Sequence, residues 1–91
     1  MRVRLVGADE NSELLEADLS IAAVPRIDET ITVWSNTYMP QGGEIDLKVQ
    51  DVIHKAYGDA PWTEIHVYRA EGLSDEDWRG VFIAINERQE P

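Results

Sequence analysis

Glu44 to Ala56 reads EIDLKVQDVIHKA, and the reading of this stretch decides the fold. Ile45, Leu47 and Val49 alternate with Asp46, Lys48 and Gln50, the period-two pattern of a strand with one buried face. The alternation slips at Asp51, so that Val52 and Ile53 become adjacent, as they do where a β-bulge bends a strand. The pattern therefore predicts one long bent strand. Downstream, YGDAPW (Tyr57 to Trp62) is a turn by its Gly, Asp and Pro. TEIHVYR then returns with Thr63, Ile65 and Val67 alternating against Glu64, His66 and Tyr68, so the two segments form a hairpin.

Upstream, AVPRIDETITVW (Ala23 to Trp34) sets a proline, an arginine and two acids between two apolar alternations. Pro25 cannot donate to a ladder and holds Val24 out of the helical region, so a strand ends there. Ile27 is expected to point inward as a plug, Asp28-Glu29 to turn, and TITVW to resume as a β-branched strand. The segment is a structural corner rather than a functional loop. Before it, RVRLVG (Arg2 to Gly7) is a half-buried strand. Two readings compete from Ala8 to Val24: a short helix capped by Asn11 or Ser12, or the alternation of Leu15, Ala17, Leu19, Ile21 and Ala23 against Glu16, Asp18 and Ser20. Nine alternating residues favour an acidic loop to about Leu14 and then a strand. SNTYMPQGG is a connection between strands.

Near the C-terminus, Ser74 and Asp77 have the spacing of a capping box over one helical turn, with Asp75 and Glu76 favourable near its positive end. GVFIAIN then reads as a last apolar strand, with Val81, Ile83 and Ile85 alternating against Phe82 and Ala84, and ERQEP as a tail. Five or six short strands with at most one or two short helical turns give an all-β chain. A small, strongly curved barrel suits them, with a two-layer sandwich as the alternative.

A chain of 91 residues is one domain, since it buries only about 60 to 65% of its unfolded surface and cannot supply two cores. Without cysteine it has neither disulfides nor thiolate metal sites. Neither a signal-peptide core nor a membrane-length apolar run is present, so the expected compartment is the cytoplasm. Eighteen acids against eight bases give a net charge of −10, which disfavours direct nucleic-acid and membrane binding, and no glycine-rich phosphate loop accompanies the scattered bases.

AVPRIDETITV, IDLKVQDVIHKA and TEIHVYRA together resemble small bacterial and phage proteins of unassigned function that have a Val-Pro-Arg corner, a Val-x-Asp-Val-x-His strand and an Ile-x-Val return strand. The resemblance spans Ala23 to Ala70 and departs at Asp28, where those proteins commonly have glycine. It implies a Src-homology-3-like (SH3-like) barrel and leaves function open.

No serine has a nucleophile elbow around it, which argues against an acyl-transfer enzyme. A six-residue hairpin turn would place His54 across from His66 or Glu64 on one face. With Asp51 nearby, such a group could ligate zinc or shuttle a proton, but no metal-ligand spacing supports it and surface histidines are the plainer reading. No cofactor is expected. The aromatics Trp34, Tyr38, Trp62, Tyr68 and Trp78 exceed what a small core absorbs, and most sit at or beside loops. The expected binding residues are Trp34, Tyr38, Trp62 and Trp78 with the acids Asp75, Glu76 and Asp77. The favoured function is a non-enzymatic protein-interaction module with an acidic surface for a basic partner. The alternatives are a phage-type inhibitor or nucleic-acid mimic that blocks a basic groove of a nucleic-acid enzyme, and a small metal-assisted enzyme at His54 and His66. Oligomeric state leaves no trace in the sequence.

Overall fold

The computed structural model describes residues 2–35, 43–56, 58–59 and 61–88. Five strands, β1 (Arg2–Ala8), β2 (Leu14–Ser20), β3 (Thr30–Ser35), β4 (Gly43–Lys55) and β5 (Trp62–Val67), precede one helix, α1 (Asp75–Arg88). The strands form one sheet in the order β2-β1-β5-β4-β3, with β1 and β5 parallel and the other neighbours antiparallel. The sheet curls into a half-barrel, as the all-β reading of a small curved barrel requires.

The alternation of each strand sorts its residues onto two faces. Val3, Leu5, Ala17, Val33, Ile45, Leu47, Val49, Ile65 and Val67 are buried on the concave face. Helix α1 fills that concavity with Trp78, Val81, Phe82 and Ile85, at the i, i+3, i+4, i+7 spacing of a helical stripe. It packs against β2 and β3, the two edge strands, and so bridges the open side of the curl. Asn86 also seals part of the free edge of β2. The Asp18 N–H donates to Asn86 Oδ1 (3.0 Å) and Asn86 Nδ2 donates to the Glu16 carbonyl (3.2 Å).

Three expectations are corrected here. The segment from Gly80 to Asn86 is helix, not a closing strand. Its apolar run satisfies both periods, and the helical one wins because a half-barrel needs a filler more than a sixth strand. Ser74 does cap the helix, accepting from the Asp77 N–H at 3.1 Å, but the helix runs for 14 residues rather than one turn. Ile27 is 57% exposed and is no plug. The corner is held by its backbone instead, with Asp28 N–H donating to the Val49 carbonyl and Val49 N–H to the Glu29 carbonyl (both 2.9 Å), while Val24 and Ile31 pack on the core. Asp28 takes a φ of 72°, a left-handed conformation that its short polar side chain tolerates better than most.

Two rings of the helix press on β1 at Gly7. A Cβ there would lie 2.7 Å from Phe82 Cζ and 2.9 Å from Trp78 Cζ2, two rings that meet edge to face at 5.0 Å. Gly7→Ala should therefore lower the unfolding free energy by about 1–3 kcal/mol, whereas Ile27→Asp should stay within about 0.5 kcal/mol. Urea denaturation of the two variants checks the pair, and a Gly7→Ala protein of undiminished stability would contradict the close approach.

Candidate functional site

The 13-residue β4 outruns the six-residue β5, and a cleft arises from that difference. Between Val49 and Asp51 the register with β5 shifts by one residue, so Gln50 is the bulge that the sequence foretells. On one side of it, Asp51 to Lys55 pair with β5; on the other, Gly43 to Lys48 pair with β3. The β5 lane closes where Tyr68 N–H donates to the Lys48 carbonyl at 3.0 Å. Beyond that bond the chain swings away through Arg69 to Glu71. A recess of about 600 Å³ remains, lined among the described residues by Asp46, Lys48, Tyr68, Arg69, Ala70 and Glu71.

The charges around this cleft are unevenly satisfied. Lys48 pairs with Asp28 (3.8 Å), and Arg69 with Asp75 (3.4 Å) and Glu10 (3.8 Å), all outside the lining. Asp46 accepts from the Thr32 hydroxyl (2.8 Å) and, like Glu71, has no ion pair among the described residues. The recess therefore presents two carboxylates without ion pairs among the described residues beside Tyr68, which is 48% exposed.

The residues expected from sequence to bind are dispersed. Trp34 belongs to β3, with its side chain outside the described residues, and Tyr38 lies wholly outside them. Trp62 is partly buried on the convex face, donating from Nε1 to Glu64 Oε2 (2.8 Å) with the Arg4 guanidinium 5.4 Å above its ring. Trp78 is fully buried and donates from Nε1 to the Ala8 carbonyl (2.9 Å), so this indole is a core residue and not a surface anchor. Asp75 is committed to structure. It pairs with Arg79 (3.1 Å) and Arg69, and accepts from the Glu10 N–H (3.3 Å). Glu76 is exposed and Asp77 partly so on the first turn of α1.

The histidine site does not form. His54 pairs with Thr63 (Nδ1 to Oγ1, 3.0 Å), and His66 is opposite Asp51, which puts the two imidazoles on opposite faces of the sheet. His66 instead meets Glu64 at 3.1 Å, and the Trp62 and His66 hydrogen bonds hold the Glu64 carboxyl below its usual value against the opposing effect of burial. Among the described residues no three His, Asp or Glu side chains stand together as metal ligands.

Sequence reading also missed the buried carboxylate that latches helix to sheet. Asp9, in the β1–β2 loop, accepts from Arg79 Nη2 (2.7 Å) and from the N–H groups of Asn11 (2.8 Å) and Glu13 (2.9 Å). The Arg79 hydrogen bond, with the two backbone donors, keeps its carboxyl below the ordinary 3.8 although burial pushes the other way. A lowered folded pKa stabilises the protein above the ordinary carboxyl range and is lost as pH falls through the folded value. Asp9→Asn should therefore destabilise most at neutral pH, with the gap closing below pH 3.8. Urea midpoints followed down through the acid range test this, and a gap constant with pH would dismiss the latch. No helix among the described residues is long and apolar enough to cross a membrane. The chain matches no family model, and comparisons with curated proteins and with solved structures likewise return no match.

Proposed function

We propose that this chain is a non-enzymatic protein-interaction module that holds a basic segment of a partner protein in the cleft beside Tyr68. The observation that carries the reading is the pairing pattern of the lining. Both cations pair with acids outside the cleft, while Asp46 and Glu71 face it without ion pairs among the described residues. An incoming Lys or Arg meets two carboxylates and a half-exposed phenol ring, the combination of charge and rigid aromatic surface that protein interfaces use. The net charge of −10 repels nucleic acid and steers a cationic partner from a distance.

The first turn of α1 carries less of this role, because Asp75 is spent on Arg69 and Arg79 and Trp78 is internal. Binding of a fluorescent Lys-rich peptide, followed by anisotropy, separates the two surfaces. Tyr68→Ala should weaken it about tenfold, near 1.4 kcal/mol. Asp46→Asn with Glu71→Gln should weaken it further at low salt, with the loss shrinking as the Debye length falls to about 3 Å near 1 M salt. Glu76→Gln with Asp77→Asn should leave most of the affinity intact. If the helix pair, and not the cleft pair, abolishes binding, the site lies on α1.

A further inference from the structure

The cleft has a wall of unpaired backbone. Val49 N–H and C=O are both spent on the corner residues Glu29 and Asp28, so they point toward the β3 side of β4. Backbone groups alternate sides along a strand, which aims those of Lys48 and Asp46 the other way, toward the cleft. Tyr68 N–H occupies the Lys48 carbonyl, which fits this assignment. Lys48 N–H, Asp46 N–H and the Asp46 carbonyl make no hydrogen bond among the described residues, because β5 ends at Val67 while β4 continues. A strand edge with empty donors and acceptors, flanked by a recess of about 600 Å³, is a template for one more strand.

We propose that the bound segment is an extended peptide with basic residues at alternate positions, and that it adds to β4 in the lane that β5 vacates. This rests on the cleft reading above and specifies its geometry. A residue opposite Asp46 exchanges both backbone hydrogen bonds with it. Its side chain then stands on the same face as Asp46, with the two Cα atoms about 5.5 Å apart, within ion-pairing reach for Lys or Arg. Two residues along, the next side chain on that face meets Glu44, which is exposed and has no ion pair among the described residues. The Lys-x-Lys period of the peptide thus matches the Glu44-x-Asp46 period of the strand. A second copy of this chain is a poor occupant, since at −10 it brings like charge to an acidic edge.

The test uses an acetylated, amidated Lys-Val-Lys-Val-Lys-Val peptide and two versions of it, N-methylated on one or the other alternate set of amides. Strand addition predicts that one methylated set binds about tenfold or more weakly while the other retains affinity, since only one set faces β4. It also predicts that the Asp46 amide shifts in NMR spectra and exchanges more slowly with solvent when the parent peptide is bound, whereas the Lys48 amide, opposite Tyr68, does not gain that protection. If both methylated peptides bind as tightly as the parent and Tyr68→Ala still weakens them, strand addition is overturned and the charge-based cleft reading stands. If the parent peptide does not bind at millimolar concentration, or shifts only amides away from residues 44–48 and 68–71, both are overturned.

Discussion

A single extra residue, Gln50, sets the shape of this molecule. Without the bulge, β4 would keep one register along the six residues of β5 and lack the local bend at that point. With it, the strand turns out of the β5 ladder and gives its first half to β3, so one chain segment belongs to two parts of a bent sheet. The half-barrel, the concavity that α1 fills and the recess beside Tyr68 all follow from that division. The register shift also keeps Val49 and Val52 on the concave side although they are three positions apart, so the bend interrupts pairing without interrupting the core.

Curling a sheet only halfway leaves an open side, and the C-terminal helix is the remedy. Its apolar stripe meets the concave face where Gly7 has no side chain, letting the Trp78 and Phe82 rings lie directly on β1. Because Trp78 is buried there, its indole N–H needs an acceptor and finds the Ala8 carbonyl at the end of β1. Polar contacts then fix the helix lengthwise. Arg79 reaches Asp9 in the β1–β2 loop near one end, and Asn86 reaches the β2 edge near the other. Acids that look from sequence like an exposed cluster are thus partly spent on attaching the helix.

How far the sequence reveals this depends on how local each determinant is. The bulge was legible because a break in alternation is visible within five residues, and the Ser74 cap because its partner is three residues away. The helix after it was not, since Val81, Phe82, Ile83 and Ile85 fit a period of 2 and a period of 3.6, and only the shape of the remaining cavity chooses between them. The histidines show how sensitive faces are to register. The observed ladder pairs His54 with Thr63, one residue away from pairing with Glu64, and one residue is enough to send a side chain through to the other face. Ile27 was misplaced because the corner is anchored through backbone bonds to Val49, which no side-chain pattern encodes. The cleft itself was readable in principle: a long bent strand opposite a short return strand must leave part of its edge without a partner.

That unmatched edge gives the charge imbalance a direction. Arg2, Lys48, Arg69 and Arg79, half of the eight bases, each pair with an acid within the chain, and Arg69 and Arg79 do so where they hold loop and helix in place. What is left over is negative, and on β4 it recurs at the spacing of alternate residues, Glu44 and Asp46 on the convex face. Solvation alone asks only that acids be exposed, and is indifferent to where they stand. Placing them on a stretch of β4 that has no strand on its cleft side among the described residues joins two separate requirements, backbone groups that need partners and carboxylates that need cations. An extended basic segment satisfies both at once, because its own two-residue period brings a donor and acceptor toward β4 at every position where it also presents a charge.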